Sequence, residues 1–425
     1  QQYKESILSS LRWARLQPDE PLVIQSARFA EHEAVIKKLL DEKKAYRCYC
    51  TPKEEVARYE QETGGDFFVR YDGKCRSYTP TAADAQKSYV VRFKIPDAVS
   101  HVTFADIVRG SVKFDRDQLD DFIIARSDGR PIYNFVVVVD DAWMNITHVI
   151  RGEDHISNTP KQILLYQACG YTVPQFAHVP LILGPSGDRL SKRDGATSVE
   201  EYRKMGFLPE ALLTYLVRLG WSHGDQEIFS RGELVSYFSL DHIGKKGSIF
   251  DLEKLRWVNS VYIKAAKPDE LYTRIIDDVV PSVAAHVASW SGEKIYQAIT
   301  LYQDRVHTLQ ELAAALIELH DGPGVYVPHD QMPWVHDAAV IELVGAVRFY
   351  LATEKKEMHH EQLQKAITDM VGKAGKKIGA LSQPLRMALI GKTSGPGVFM
   401  LMDFLGAQEC VRRIDALQAY MQEGN

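Results

Sequence analysis

The chain has 425 residues, 45% of them hydrophobic, and a formal net charge of −5 at pH 7. This length and composition are typical of a soluble protein with roughly two to four domains. The small negative charge excludes a general affinity for polyanions, so any nucleic-acid contact must depend on local basic patches. No apolar stretch approaches the ~20 residues that span a bilayer, so we expect no membrane role.

The first predicted element is a helix over Ala30–Leu40, where apolar residues recur at helical spacing. It leads into three grouped cysteines, Cys48, Cys50 and Cys75. The whole chain has five cysteines, which are too few for a disulfide scaffold, and an odd number favours a reducing, cytoplasmic location.

Three segments with β-branched and aromatic residues follow, at Tyr89–Ile95, Val102–Asp106 and Ser111–Phe114. Turn residues separate them. They predict an insertion that contains β-strands.

An almost continuous apolar run, Ile132–Val139, predicts a strand buried on both faces of a parallel sheet. A second strand is predicted at His148–Ile150, followed by a helix that ends near Cys169 and a third strand at Ala177–Leu183. Strands that alternate with helices, with polar residues at their carboxyl ends, indicate half of a nucleotide-binding α/β fold.

The third strand leads to a short basic loop, Arg189–Arg193. Because ligands collect at the carboxyl ends of strands in open α/β sheets, cations at this point favour phosphate chemistry. A solvated basic turn is the alternative that these residues alone leave open.

The pattern changes after the loop, with a helix predicted to start at Pro209. From about Pro268 to the end nearly every segment is helical in pattern, as in Ile341–Leu351 and Ala407–Met421. The turn residues of Asp321–Gly324 predict a domain boundary within this region.

Six segments occur in an order and spacing that resemble one family: Ser127-Asp128-Gly129, Tyr133, Val138-Val139-Asp140-Asp141, Thr147–Asp154, Leu190–Gly195 and Phe250–Leu255. Together they resemble the bacterial-type glutamyl-tRNA synthetases, which are class I aminoacyl-tRNA synthetases, over essentially the whole chain. The resemblance implies an α/β fold: a Rossmann-like parallel-sheet catalytic domain with an α+β insertion, followed by an all-helical anticodon-binding region.

The resemblance also implies five domains. Residues 1–45 and 130–185 would form the catalytic domain, without its N-terminal part, and residues 46–129 the insertion that binds the acceptor stem. Residues 186–267 would carry the Lys-Met-Ser-Lys-Ser type of loop and a stem-contact domain. Residues 268–324 and 325–425 would form two helical anticodon-binding domains.

In this family the basic loop corresponds to the Lys-Met-Ser-Lys-Ser motif, and Lys192 is the retained lysine. Attack of a carboxylate on the α-phosphate of ATP builds charge on the phosphate oxygens, which a preorganised cation stabilises. The resemblance implies ATP and Mg²⁺ as cofactors. The positions that it implies for ATP binding and catalysis are Asp154, Arg189, Leu190, Ser191, Lys192 and Arg193.

Arg151 and Tyr133 match the family positions that contact the glutamate substrate. An arginine at a strand end is a suitable bidentate partner for a carboxylate. An ion pair between Arg151 and Glu153 or Asp154, and a core aromatic role for Tyr133, are the alternatives.

The cysteine group resembles a zinc site in the insertion of some relatives. Four-coordinate zinc needs thiolates and a fourth ligand. Such relatives often place a histidine two residues beyond the third cysteine, where this chain has Ser77. Tyr71 is the substitute that a truncated paralogue suggests, which gives the set Cys48, Cys50, Tyr71 and Cys75. Three reduced thiols without metal are the alternative.

The helical C-terminal region resembles the anticodon-binding region of the bacterial glutamyl enzymes, whereas glutaminyl enzymes carry β-barrels there. Arg305 matches a position that faces the anticodon, with a surface arginine as the alternative. A local basic stretch could meet phosphates; it comprises Lys373, Lys376, Lys377, Arg386 and Lys392.

The family's other signature, His-Ile-Gly-His, is expected before the basic loop, where it opens a helix that holds phosphates. His242-Ile243-Gly244-Lys245 resembles it but follows the loop, so we interpret it as coincidence. The chain starts at Gln1 without an initiator Met, so we expect it to begin inside a longer protein.

The predicted activity is ATP-dependent ligation of L-glutamate to the 3′ end of tRNA(Glu), via glutamyl-adenylate, by a cytoplasmic monomer. One alternative is a non-discriminating enzyme that also charges tRNA(Gln). Another is an inactive tRNA-binding fragment, because the N-terminal signature is absent.

Overall fold

The computed structural model describes residues 2–51, 54, 71–191, 198–324, 326–328, 332–353 and 360–423. The chain divides into two compact units. The sheet unit comprises Gln17–Leu190 and Val217–Phe250, and the helical unit comprises Gln1–Leu16, Ser191–Leu216 and Asp251–Asn425.

The strands all lie in the sheet unit: β1 (Ala45–Cys48), β2 (Val90–Phe93), β3 (His101–Asp106), β4 (Gly110–Asp115), β5 (Ile123–Ala125), β6 (His148–Gly152), β7 (Gln175–Val179), β8 (Ile182–Leu183) and β9 (Ser248–Ile249). Within the described residues they form sheets of order β1-β2-β5, β4-β3-β7-β6 and β8-β9. In the four-stranded sheet, β3 and β6 run parallel to β7, and β4 is an antiparallel edge. The predicted parallel sheet is confirmed, and it includes two strands, β3 and β4, that lie within residues 46–129.

The α-helices, in chain order, are α1 (Gln2–Trp13), α2 (Phe29–Asp41), α3 (Tyr133–Trp143), α4 (Thr159–Cys169), α5 (Val199–Lys204), α6 (Pro209–Arg218), α7 (Arg231–Tyr237), α8 (Leu252–Ala265), α9 (Pro268–Arg274), α10 (Val283–His286), α11 (Gly292–Tyr302), α12 (Leu309–Asp321), α13 (Ala338–Thr353), α14 (His360–Lys373), α15 (Ile378–Ile390), α16 (Val398–Leu405) and α17 (Ala407–Glu423). Every regular element described after β9 is helical, so the prediction of an all-helical C-terminal region is confirmed. None of the described helices is both long enough and apolar enough to span a bilayer.

The ends of α4 show how local sequence sets an element. Pro160 stands in its first turn, where the missing N–H costs nothing, and Gly170 ends it in the left-handed conformation with φ 73°. The helix that the sequence predicts here is therefore confirmed. Its buried face packs into the core of the sheet unit, whose members include Leu39, Phe93, Ile124, Phe135, Leu165 and Phe176.

The strand predicted at Ile132–Val139 is wrong, because these residues belong to α3. The buried residues of α3 are Phe135, Val136, Val138, Val139 and Asp140, which is a helical face rather than alternation. A short, mostly apolar run fits either a buried strand or a buried helix, and tertiary packing decided for the helix. Asp140 lies on the same buried face of the helix, where its carboxylate accepts hydrogen bonds from Arg28 and His32 at 2.9 and 2.8 Å.

The third predicted strand, Ala177–Leu183, is interrupted. β7 ends at Val179 and the next strand, β8, pairs with β9 in another sheet. Pro180 lies in the gap, and a proline has no N–H to donate to a ladder. The polypeptide therefore changes sheets just before the basic loop.

A buried arginine joins three helices of the helical unit. Arg413 is 1% exposed, lies on α17, and donates from Nη2 to the carbonyl of Leu319 at 2.7 Å and from Nη1 to that of Leu389 at 2.6 Å. These carbonyls lie in the last turns of α12 and α15, which lack intrahelical donors. Glu409 accepts from Nε of Arg413 at 2.6 Å and balances its charge.

Replacing Arg413 with leucine should destabilise the last turns of α12 and α15, because the carbonyls of Leu319 and Leu389 lose their donor, whereas Glu409 keeps its pair with Arg412. Leaving a buried acceptor unsatisfied costs about 1–3 kcal/mol. Hydrogen exchange measured by mass spectrometry on peptides from these turns should show faster exchange. Arg412→Leu is the matched control, because Arg412 pairs with the same Glu409 but has a side chain that is 60% exposed. Equal exchange in the two variants would contradict this role for Arg413.

Candidate active site and cysteine cluster

Arg151 lies near the carboxyl end of β6, and its guanidinium is held from two neighbouring elements. Nε donates to Nε2 of His178 on β7 at 3.1 Å, and Nη2 donates to Oγ1 of Thr159 on α4 at 2.9 Å. Burial lowers the pKa of Arg151. The pKa of an arginine is so high that the side chain stays a cation at neutral pH even when it is lowered, so the site presents a fixed positive charge.

Tyr133 stands at the first position of α3, with 48% of its surface exposed. Its ring lies 5.7 Å from that of His155, whose carbonyl accepts from Nη2 of Arg151 at 3.4 Å. The structure therefore brings together the two residues that the sequence assigns to glutamate. Exposure of Tyr133 argues against the alternative that it is a plain core aromatic.

Glu153 forms an ion pair that ties the residues after β6 to the turn between β3 and β4. Its carboxylate pairs with Arg109 and also accepts from the backbone N–H of Leu181 at 3.1 Å. The Arg109 guanidinium donates in addition to the carbonyl of Lys245 at 2.8 Å. Glu153 is thus paired with Arg109, and not with Arg151 as the alternative reading of the sequence allowed.

Asp154 lies one residue further along and meets the start of the basic loop. Its Oδ2 is 3.1 Å from Nη1 of Arg189, whose side chain is largely exposed. Leu190 is fixed by its N–H, which donates to the carbonyl of Ile182 at 3.0 Å. Two positions assigned to ATP, Asp154 and Arg189, are therefore in contact.

The remaining positions assigned to the basic loop are only partly described. Ser191 is exposed at the end of the described segment. Lys192 and Arg193 lie outside the described residues.

The sequence analysis did not single out a buried pair behind Arg151. Asp106 closes β3, and its Oδ2 lies 2.6 Å from Nδ1 of His178, with both side chains fully buried. Burial lowers the pKa of His178. Burial acts to raise the pKa of Asp106, but hydrogen bonds from Arg109 and His178 outweigh it and lower that pKa. The sequence does single out each residue, since Asp106 and His178 are polar residues within the predicted strands Val102–Asp106 and Ala177–Leu183.

The cysteine group folds into one cluster. The Sγ atoms of Cys48, Cys50 and Cys75 all lie within 4.8 Å of one another, and those of Cys50 and Cys75 are 3.6 Å apart. Thiolates bound to tetrahedral zinc at ~2.3 Å are separated by about 3.8 Å, so the spacing suits that ion. The hydroxyl of Tyr71 accepts from the Cys75 N–H at 2.8 Å and from the Cys48 thiol at 3.3 Å. All four predicted ligands are thus together.

An additional cation lies beside the cluster. The Arg92 guanidinium stacks on the Tyr71 ring, 3.8 Å from its centroid. Burial nevertheless raises the pKa of the Tyr71 hydroxyl, and its hydrogen bond with Cys48 acts in the same direction. Burial also raises the pKa of the Cys169 thiol to about 11, so that thiol is inert at neutral pH.

Arg305 is exposed in the turn between α11 and α12. Burial, and then the charge of Arg305, lower the pKa of Arg386, so two arginines of the helical unit are close. Two other members of the predicted basic stretch are paired with carboxylates, Lys376 with Asp337 and Lys392 with Glu318. The positive charge of these two lysines is therefore balanced locally.

Comparison with known proteins supplies the family. Residues 1–257 match the family described as tRNA synthetases class I (E and Q), catalytic domain, and residues 274–418 match an anticodon binding domain. A glutamate–tRNA ligase of Geobacter sulfurreducens is 43% identical over 430 residues, covering 100% of this chain and 89% of the relative. One of Syntrophotalea carbinolica is also 43% identical, covering 97% and 87%. The crystal structure of a glutamate tRNA ligase from Elizabethkingia meningosepticum in complex with its amino acid has a TM-score of 0.83 at 28% identity, covering 98% and 89%.

Proposed function

Because the chain belongs to the class I tRNA synthetases of the glutamate and glutamine type, we propose that it ligates L-glutamate to the 3′ end of tRNA(Glu). The reaction uses ATP and Mg²⁺ and passes through glutamyl-adenylate. The observation that carries the choice of substrate is the Arg151 guanidinium, which is anchored on its protein side by His178 and Thr159. A fixed guanidinium is suited to a carboxylate ligand, and glutamate has two carboxylates.

In this proposal Arg151 binds a carboxylate of glutamate, and the Tyr133 hydroxyl contributes a hydrogen bond beside it. The Arg151 guanidinium does not have to reorganise when substrate arrives, because it is already held by His178 and Thr159. Preorganised groups lose little entropy on binding. The pair therefore sets the affinity for glutamate.

ATP is proposed to bind beside Asp154 and the basic loop. The contact between Asp154 and Arg189 supports a common role for these residues. Lys192 supplies the cation for charge that develops on the phosphate oxygens. The other residues proposed for this role are Leu190, Ser191 and Arg193.

The helical unit is proposed to bind the tRNA anticodon, with Arg305 facing the bases. The match of residues 274–418 to an anticodon binding domain supports this assignment. We propose that residues 46–129 contact the acceptor stem, that residues 186–267 carry the catalytic loop and a stem contact, and that residues 268–324 and 325–425 divide the anticodon region. We further propose that the protein acts as a cytoplasmic monomer.

The test of this function is a charging assay with purified tRNA(Glu) and tRNA(Gln), using the protein as its gene encodes it. We expect ATP-dependent attachment of radiolabelled glutamate to tRNA(Glu). Charging of tRNA(Gln) with glutamate as well would identify the non-discriminating alternative. Attachment of glutamine, or binding of tRNA without charging, would contradict the proposal.

Arg151→Gln should raise the KM for glutamate far more than the KM for ATP, because it removes the cation that pairs with the substrate carboxylate. Loss of one charged hydrogen-bonding partner costs about 2–3 kcal/mol, or roughly 30- to 150-fold. Pyrophosphate exchange in the presence of tRNA measures both constants.

Lys192→Ala provides the contrast for that measurement. It should lower the exchange rate at saturating substrates by about 10²–10³-fold, since it acts on the transition state. Equal changes in the two KM values of Arg151→Gln would refute its assignment, and near-normal exchange by Lys192→Ala would refute that of the lysine.

We also propose that the cysteine cluster binds one structural zinc ion through Cys48, Cys50, Cys75 and the Tyr71 oxygen. Support comes from the sulfur spacing and from the Tyr71 oxygen, which lies 3.3 Å from the Cys48 sulfur. Thiolates are the ligands that zinc prefers, and a site with four protein ligands is typical of a structural role.

Metal analysis of the purified protein should find about one zinc per chain, as a single four-ligand site requires. Cys50→Ser should release the ion, because it removes a thiolate. Cys169→Ser is the matched control, since Cys169 is a buried thiol outside the cluster and should leave the zinc content unchanged. Tyr71→Phe tests the fourth ligand and should lower zinc affinity against a competing chelator. Protein that lacks zinc even after incubation with the metal would refute the site.

A further inference from the structure

We propose that Asp106 and His178 are positioning residues for Arg151: Asp106 selects the His178 tautomer whose Nε2 accepts the Arg151 N–H, and so fixes the guanidinium that binds glutamate. This inference rests on the proposed role of Arg151. It gives a function to a buried pair that acts on the substrate only through Arg151.

The Asp106 carboxylate is held as an acceptor on every side. Its Oδ1 accepts from the backbone N–H groups of Val108 and Arg109 at 3.0 and 2.8 Å, within the turn between β3 and β4. Its Oδ2 lies 2.6 Å from Nδ1 of His178, and both oxygens are 3.2 Å from the His178 backbone nitrogen. A carboxylate that accepts several N–H bonds stays ionised. An ionised Asp106 can only accept, so Nδ1 of His178 must carry the proton.

The tautomer of His178 follows from this contact. A neutral imidazole with its proton on Nδ1 has a lone pair on Nε2. Burial lowers the pKa of His178, which keeps the ring neutral at neutral pH. Nε2 is therefore an acceptor at the point where Arg151 Nε donates at 3.1 Å. The opposite tautomer would place two N–H groups against each other.

The rest of the contact set agrees with this assignment. Oγ1 of Thr159 lies 3.1 Å from His178 Nε2 and 2.9 Å from Arg151 Nη2. Its oxygen can accept from Nη2, while its hydrogen and the Arg151 Nε–H share the single Nε2 lone pair in a three-centre arrangement. With Nε and Nη2 both held, the plane of the guanidinium is defined. A bidentate bond to a carboxylate depends on that plane.

The pairing of the strands places Asp106, His178 and Arg151 side by side. Arg151 and His178 are paired residues of the parallel strands β6 and β7, and Asp106 lies on β3 at the other side of β7. A chain of hydrogen bonds therefore runs from Asp106 through His178 to Arg151, across three adjacent strands. No movement of the backbone is needed to transmit it.

Asp106→Asn tests the inference with almost no change in volume. The turn N–H groups need the oxygen of the new side-chain amide, so its NH₂ group will face His178 Nδ1 and force the proton onto Nε2. The ring then opposes Arg151 instead of accepting from it. We expect the KM for glutamate to rise about 10- to 100-fold, the effect of misplacing one charged contact, with kcat and the KM for ATP changed less than about threefold.

Two further variants separate positioning from folding. The double variant Asp106→Asn with His178→Gln places an amide oxygen near the former Nε2, which can accept from Arg151 whatever residue stands at position 106, and should recover most of the lost glutamate affinity. Asp140→Asn is the matched control, because Asp140 is another buried carboxylate of the sheet unit with a histidine partner, His32, at 2.8 Å. It should leave the KM for glutamate unchanged.

The outcomes are distinguishable from failure of the proposed function. If Arg151→Gln leaves the KM for glutamate unaltered, the role of Arg151 is wrong. If Arg151→Gln raises it but Asp106→Asn does not, only the positioning role is overturned. A double variant that is no better than Asp106→Asn, or an Asp140→Asn with the same KM effect, would also overturn it, since that pattern indicates general destabilisation.

Discussion

The hydrogen bond between the buried Asp106 carboxylate and His178 is the interaction on which the rest of the site depends. A buried carboxylate is stable only when every lone pair has a donor. Asp106 meets this requirement with two N–H groups of its own turn and with the ring and backbone of His178. The same four contacts close the turn after β3, join β3 to β7, and determine which ring nitrogen is left to accept from Arg151.

The turn that Asp106 closes also holds a second part of the site in place. Arg109, within that turn, pairs with Glu153, two residues after Arg151. Residues Arg151–Asp154 are thus held through His178 at one end and through Arg109 near the other. Because their side chains are fixed in this way, the Arg151 cation and the neighbouring carboxylates do not pair with each other. Arg151 can then bind one ligand while a carboxylate of this segment faces another. In the proposed function, Arg151 binds glutamate and Asp154 lies beside ATP, so the two substrates contact different residues of this segment.

Much of the fold could be predicted from the sequence, and the exceptions have physical causes. Strands such as β3 and β6, and the helix that ends at Gly170, follow from alternation and from a glycine cap. The run Ile132–Val139 was assigned to a strand because a short apolar run carries no periodicity, and only packing around Asp140 distinguishes the helix. Arg151 and Tyr133 could be found by resemblance, and the structure places them together. Asp106 and His178 each stand out as polar residues in predicted strands, but their pairing could not be found, because nothing in one sequence says that residues 72 positions apart form a hydrogen bond.

The most direct test of the account is the tautomer of His178. Nitrogen-15 NMR of protein labelled at histidine, with the signal assigned by its loss in His178→Gln, reports which ring nitrogen carries the proton. The account predicts a neutral ring at pH 7 that is protonated at Nδ1 and bare at Nε2. A proton on Nε2, or a doubly protonated ring, would contradict it.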